Sequence, residues 1–485
     1  MDRLLIIGCA LDGPINEIVN PRSLDDVVTL FGGKYSQSIA VTPSATAVTL
    51  DYEPLSLISQ GFDEPTTQLY SPTISGSICY FGNIGGSGTV NCKFVYQPYL
   101  GKSDLIAAVQ HIFNSTGSLP AILRSGGSPA SLTVQGWSFE SRHLGPRGNS
   151  ISVAISGSTL TITGPLPEFD LVSYTVSGQA SLVAKKINDD YELLLSPVRV
   201  TAYGTTALTA FTSSLSSGTS GGITTEFLQT ILDQGLASHI STVVVLSEFV
   251  SGYLENIVTY NLDNFNNPKT FFFPSLSWSG SGYLTDLTTA YPSRSGWVGL
   301  INGNSDIDLF GSIRERYLVE SVIPEFVANP KYSPTNFGLK VNNFSPRLSA
   351  DWLENLYTAG VMAPVRVIVE GPSIYKAIMS DGSSRFYDRY SSSTILAIGK
   401  EYLSQFMAVK RSFGRQPDLE KELTSLLTPQ FEIDDVTITV LDGFYDYNDR
   451  SKQSIIGPGR VGLICNIAYR VYDEIHTISF NLRMH

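Results

Sequence analysis

The spacing of apolar positions changes character twice along this chain. Leu4 to Cys9 is an unbroken apolar run, short enough for a strand covered on both faces. Asp12-Gly13-Pro14 then signals a turn, since glycine frees one φ and proline fixes the next. Ser23 predicts a helix start: its hydroxyl can cap a free N–H, and Asp26 stands at the capping-box position with the sign the helix dipole favours. Leu24, Val27, Val28 and Phe31 share one helical face, and Gly32-Gly33 closes it. Residues 36–100 predict short, irregular strands, with Ala47-Val48-Thr49-Leu50 and Ile78-Cys79-Tyr80-Phe81 set between Gly/Ser punctuation such as GNIGGSG at 82–88. SDLIAAVQHIF at 103–113 predicts a helix. Over 143–165 a Gly-rich turn leads into one strand and a Gly-Ser pair into a second, a hairpin signal. Residues 191–211 give further strand, and the Ser/Gly run TSSLSSGTSGG at 212–222 reads as a linker and the first domain boundary.

Beyond that run the period becomes α/β. Phe227, Leu228, Ile231 and Leu232 predict an amphipathic helix, Thr242–Leu246 a buried strand, Tyr253–Leu262 a helix and Thr270–Phe273 a strand. Strands alternating with helices predict a partly parallel sheet. Residues 274–345, rich in Pro, Tyr, Ser and Asn, read as irregular. From Ser349 the helical period returns: Trp352, Leu353, Leu356 and Tyr357 form one stripe, ended at Gly360, and Val365–Val369 follows as a strand. Ile395, Ile398, Tyr402, Phe406 and Val409 mark a long helix closed by Gly414. Leu419, Leu423, Leu426 and Leu427 mark another, stopped by Pro429. Strands at 436–441, 461–472 and 475–483 finish the chain. No internal repeat of fixed period is evident.

At 485 residues the chain exceeds a usual single core, so two to four domains are expected. A charged fraction of 16% with plentiful Tyr, Phe, Ser, Thr and Gly fits a β-rich protein with large contact surfaces. A net charge of −12 argues against a nucleic-acid binder, which needs a basic stripe. Cys9, Cys79, Cys92 and Cys465 form no CxxC pair, so assembly in a reducing cytoplasm is expected and a disulfide framework is not. No signal peptide is visible, and no run approaches the ~18 apolar residues of a membrane span. A soluble protein without a targeting signal is the expectation.

Candidate chemistry changes this picture little. Gly218-Thr219-Ser220-Gly221-Gly222 matches the G-x-S-x-G nucleophile elbow, with a helix after it and His239 available, but a Ser-rich run yields that string by chance. Asn304, Asp306, Asp308 and Glu315 fall at EF-hand positions, yet Leu309 stands where the sharp turn needs glycine. Asp442, Asp446, Asn448 and Asp449 read as a hydrated acidic loop. His111, His143, His239, His476 and His485 include no i, i+4 pair, so no zinc site is indicated. Neither Gly-rich run is followed by GK[ST], which excludes a P-loop. No cofactor is expected. Lys400, Lys410, Arg411 and Arg415 cluster near the end of the long helix, where cations complement the helix dipole or could face an acidic partner.

The opening strand, Gly-Pro turn and helix ending in Phe31-Gly32-Gly33 resemble the start of contractile-tail sheath proteins of bacteriophages. Gly145-Pro146-Arg147-Gly148-Asn149 before a Ser-Ile-Ser-Val strand is similar to that family's Gly-x-x-Gly-Asn turn. Leu356-Tyr357-Thr358-Ala359-Gly360-Val361 is similar to its helix end before the C-terminal half. The resemblance covers both chain ends well and the middle poorly. It implies an α+β multi-domain fold: a tube-facing inner α/β domain from residues 1–35 plus 346–485, a β-rich inserted outer region at 36–211, and an α/β middle domain at 223–345. It implies no enzymatic activity. Subunits would stack as hexameric rings around a tail tube in the virion, assembled in the host cytoplasm, with baseplate and tail terminator proteins as further partners. Contraction would drive the tube through the host envelope for DNA ejection. Extended arms would add strands to neighbours' sheets. Only Met1-Asp2-Arg3 precede the first strand, so an N-terminal arm is expected to be very short. The C-terminal arm at 475–485 would carry Ile475, Thr477, Ser479, Asn481 and Arg483 on one face and His476, Ile478, Phe480 and Leu482 on the other. An ordinary edge strand within the chain's own sheet is the plain alternative. The resemblance also implies that Lys400, Lys410, Arg411 and Arg415 contact the tube. Rival readings are a baseplate or collar protein with a sheath-like core and, remotely, a hydrolase using Ser220.

Overall fold

Six parallel strands hold the centre of the molecule, in the order Val361–Met362, Val298–Ile301, Thr270–Pro274, Thr242–Val245, Leu4–Gly8, Ala121–Arg124. The computed structural model describes the chain outside residues 1–2, 15, 33–34, 43–44, 63–72, 81–88, 145, 165–170, 177–178, 194, 205–208, 220–221, 265–266, 310–311, 329–337, 368–370, 383–393, 404–415, 430, 443–460, 472–473 and 484–485. Both faces of the sheet are covered, which is why its strands read as continuous apolar runs and not as alternations. Leu4, Ile6, Val244, Phe272 and Ile301 face one core, against the helices Leu105–Thr116 and Val319–Ala328. Leu5, Ile7, Val243, Val245, Phe271 and Phe273 face the other, against Thr225–Gln234, Gly252–Asp263, Tyr283–Ala290 and Ala350–Thr358. Gly299 lets two neighbouring strands pack, because a Cβ there would stand 2.4 Å from the Phe272 ring. Gly299→Ala is expected to cost about 1–3 kcal/mol through overpacking. A lowered urea midpoint checks this; an unchanged midpoint would mean the ring swings aside.

The local signals formed as expected near the N-terminus. Ser23 and Asp26 make a reciprocal capping box, and Val27 and Phe31 bury the inner face. The α-helical part is short, Leu24–Val27, and widens into a π-type turn over Val28–Gly32. Asp104 caps the helix Leu105–Thr116 by accepting the Ala107 N–H at 2.9 Å. Ser349 precedes its helix without a side-chain capping bond.

Two units are inserted into the sheet's crossovers. The first pairs Tyr35–Val41 and Glu53–Phe62 with Val90–Tyr99, and Ala47–Thr49 with Ile78–Tyr80, around Cys79, Cys92, Phe94 and Tyr96. The second joins two antiparallel sheets and the helix Ala180–Glu192 around Trp137, Phe139, Val153 and Ile187. The expected hairpin is there, Ser152–Ser156 with Thr159–Thr163, and Gly157 takes φ +59 at its tip.

Two expectations are corrected. Residues 212–222 are not a free linker: Phe211–Ser214 pairs with the strand Ser152–Ser156, and Ser216 and Thr219 bridge to Ser131 and Ser128. Small polar residues suit a backbone ladder as well as a linker, so composition did not separate the two. Residues 274–345 are not irregular. They contain the antiparallel pair Asn304–Leu309 and Ser312–Tyr317 and the helix Val319–Ala328, buried at every position from Val319 to Phe326. A helix covered on all sides has no polar stripe to mark its period, and Pro324 inside it read as a breaker. The first strand pairs with Ala121–Arg124 and Thr242–Val245, in the same sheet as Val361–Met362. Parallel partners lie far apart in sequence, so no local pattern reports them.

The C-terminal unit has its own core. Helical residues 394–403, the helix Gln416–Leu427 and the strands Glu432–Asp442, Val461–Val471 and Glu474–Arg483 bury Ile395, Leu403, Leu423, Leu427, Ile438, Cys465 and Ile467. Among the described residues no helix is long and apolar enough to cross a membrane.

Candidate functional site

In doubly wound sheets, ligands bind beyond the C-terminal ends of the strands where the strand order reverses. Here that point lies between Leu4–Gly8 and Thr242–Val245, and the chain itself fills it. Ala10, Leu11 and Asp12 are buried there, and fully buried Arg124 donates from Nη1 to the Gly13 carbonyl at 2.8 Å. The Ser125 hydroxyl donates to Cys9 Sγ at 3.3 Å, and a Cβ on Gly8 would stand 2.9 Å from the Ser103 carbonyl. No Gly-rich phosphate loop follows the strand.

Other chemical candidates dissolve in the same way. Asn304, Asp306 and Asp308 lie along one extended strand and Glu315 on its partner, so they cannot wrap a calcium ion. Ser220 lies outside the described residues, but Thr219 before it sits in an antiparallel bridge with Ser128, and the next helix starts at Thr225, capped by Thr224. A nucleophile elbow needs a strand that runs directly into a helix, whereas among the described residues 222–224 lead irregularly into this one. Asp446, Asn448 and Asp449 also lie outside. Among the described residues no group of three His, Cys, Asp or Glu side chains could hold a metal ion. One Ser–His contact escaped sequence reasoning: His111 Nε2 lies 3.0 Å from Ser321 Oγ, across 210 positions. Both are buried, and burial, with the Arg316 charge, pulls the imidazole down to about 3. A neutral imidazole sealed from solvent is a packing group.

A denser polar node ties the first insertion to the centre. Arg316 is fully buried and grips Glu320 through Nε at 2.7 Å and Nη2 at 2.8 Å. It also donates to the carbonyls of Gly101 at 2.6 Å and Asp104 at 2.7 Å. Burial works against its charge, but the Glu320 carboxylate outweighs that and raises the guanidinium above its usual range. The Tyr99 ring lies 5.7 Å from Arg316 and 5.6 Å from Arg314, and the Tyr99 hydroxyl donates to the Glu315 carbonyl at 3.0 Å. Arg314 pairs with Glu53 in the insertion, and Lys102 with Glu315 at 2.8 Å.

The two edges of the C-terminal sheet differ. Val461–Val471 is the middle strand, and Glu474–Arg483 pairs with it from Val471↔Glu474 to Gly462↔Arg483. Residues Ile475, His476, Thr477, Ile478, Ser479, Phe480, Asn481, Leu482 and Arg483 are thus an outer strand of the chain's own sheet. On the opposite edge the Ile438 N–H is occupied by Glu420 Oε1 at 2.8 Å, from the helix Gln416–Leu427. Among the described residues no strand pairs with the outer edge of Glu474–Arg483. Its sequence has no proline or lysine, the usual guards of an exposed edge. Of the cationic cluster, Lys410, Arg411 and Arg415 lie outside the described residues. Lys400, on the helical stretch 394–403, is half-buried.

Two solved structures are similar in fold over nearly their whole length. A sheath tail protein from Desulfitobacterium hafniense superposes with a TM-score of 0.52 at 13% identity, over 100% of this chain and 97% of that one. The fold is that of tail sheath proteins. A second one, from Listeria innocua, gives 0.51 at 14% identity, over 100% and 96%. No protein-family model matches the sequence. No curated protein matches it either. Within this sheath-tail fold the Gly-Pro-Arg-Gly-Asn turn has a local purpose. Asn149 donates to the Gly218 carbonyl at 3.1 Å and accepts its N–H at 2.8 Å, clamping the second insertion's returning strand. Gly148 packs where a Cβ would stand 2.4 Å from Ser141 Oγ.

Proposed function

We propose that this chain is a non-enzymatic structural subunit of a contractile tail sheath. It polymerises as stacked hexameric rings around a tail tube and shortens to drive the tube through a host envelope for DNA ejection. The observation that carries this reading is the likeness of fold to two sheath tail proteins, each matched over nearly its whole length. The outer edge of Glu474–Arg483, unpaired among the described residues, supports it. An unguarded strand edge recruits a second strand through main-chain hydrogen bonds, which link copies without a particular side chain. Tube contact falls to Lys400, Lys410, Arg411 and Arg415. The baseplate and a tail terminator protein bound the polymer, the finished particle is a virion, and assembly takes place in the host cytoplasm.

Sedimentation of the purified chain over a range of concentrations tests the reading. Fast-sedimenting polymers that grow with concentration are expected; a monomer boundary throughout would overturn it. A baseplate or collar role is separated by counting copies in native particles, since a sheath subunit far outnumbers a baseplate part.

A further inference from the structure

The helix Ala180–Glu192 of the second insertion has two unlike faces. Val183, Ala184 and Ile187 are buried in that unit's core. Asn188 locks the helix to the strand Val198–Ala202, donating to the Val200 carbonyl at 3.0 Å and accepting its N–H at 2.7 Å. The outer face carries Leu182, Lys186, Asp189 and Leu193, all exposed. Their spacing is that of a coiled-coil seam, and it keeps them within about 60° of one another around the axis. Leu182 is 62% and Leu193 67% exposed, so the chain itself covers neither end of the seam.

This seam reads alike from both ends. About a centre between Ile187 and Asn188, Leu182 mirrors Leu193, and Lys186 mirrors Asp189 with the opposite sign. The charge order does not serve the helix itself. Lys185 and Lys186 precede Asp189, Asp190 and Glu192, although a helix favours acids near its N-terminus and bases near its C-terminus. Lys185 does bond Asp189 Oδ2 at 2.7 Å, in the weaker of the two i, i+4 orders. Lys186 Nζ stands 6.0 Å from the Tyr174 ring, which steadies the ammonium without neutralising it.

We propose that this face pairs with the same face of a second copy of the chain, helix against helix and antiparallel. Leu182 of each copy meets Leu193 of the other, and Lys186 of each meets Asp189 of the other. A parallel pairing would set lysine against lysine and acid against acid, so charge selects the antiparallel one. Each acidic helix end then also lies beside the other copy's helix N-terminus, where the dipole favours it. A contact of one 13-residue helix falls at the weak end of interfaces, so it acts where copies are concentrated or already held close. It is separate from strand addition at Glu474–Arg483 and does not rest on it.

Disulfide trapping in the full chain tests the pairing, since the four native cysteines are buried and stay silent. Leu182→Cys chains mixed with Leu193→Cys chains under oxidised glutathione should give a covalent dimer. Either variant alone should give at least about tenfold less, because like positions lie roughly 16 Å apart in an antiparallel pair, beyond disulfide reach. Adding Lys186→Glu to both chains, or Asp189→Lys to both, should cut the mixed product about tenfold through like-charge contacts. Lys186→Glu in one chain and Asp189→Lys in the other should restore it, since each altered charge then meets its opposite. That rescue also shows that both variants fold. Equal trapping in the single-variant samples, no dimer in the mixture, or no rescue would overturn the pairing. Trapping is read below any concentration at which polymers sediment, so a failure of sheath assembly leaves the result intact.

Discussion

Arg316→Met should destabilise the protein by roughly 3–5 kcal/mol, the cost of leaving one member of a buried ion pair without its partner. Glu320 has no exposure, so nothing replaces the lost guanidinium, and the carbonyls of Gly101 and Asp104 lose their donors as well. Burial already pushes the Glu320 carboxyl above its usual range, and only Arg316 holds it back. In the variant it rises further and Glu320 becomes neutral. A carboxyl with a raised folded pKa loses stability as pH rises toward that value, so the variant should recover part of its loss when pH is lowered from 7 to 5. Arg316→Met with Glu320→Met should restore much of the stability, since both charges are then gone. Urea unfolding of the three proteins checks this. A single variant within about 1 kcal/mol of wild type would mean that water or another cation reaches Glu320.

Removing residues 475–485 should abolish polymerisation and leave a folded, unassembled chain. The helices at 394–403 and Gln416–Leu427 and the pair Glu432–Asp442 with Val461–Val471 keep a shared core that includes Ile395, Leu423, Ile438 and Ile467. Lost with it is the strand whose outer edge has no described partner, while on the opposite strand Glu420 keeps its bond to the Ile438 N–H. Circular dichroism should change little and sedimentation should shift to a monomer. Ordered polymers from the truncated chain would assign the subunit contacts to another surface.

Much of the fold was legible where a signal is local. The run Leu4–Gly8, the Ser23–Asp26 box and the 152–163 hairpin rest on neighbours within a few positions, and each formed. The signal failed where burial or distance removed it. Val319–Ala328 lost its period because every face is covered. Arg316 and Glu320 have the spacing of an exposed helical ion pair, yet one ends a strand, the other begins a helix, and both are buried. The last strand was legible from its alternation. Its place beside Val461–Val471 and the difference between the two sheet edges needed the structure, because register is set by partners and not by the strand itself.

Electron microscopy of the chain expressed alone at high level tests the central claim most directly. Long cylinders with regular striations are expected from a polymer-forming sheath subunit. Dispersed monomers, or single closed rings that never stack, would contradict it.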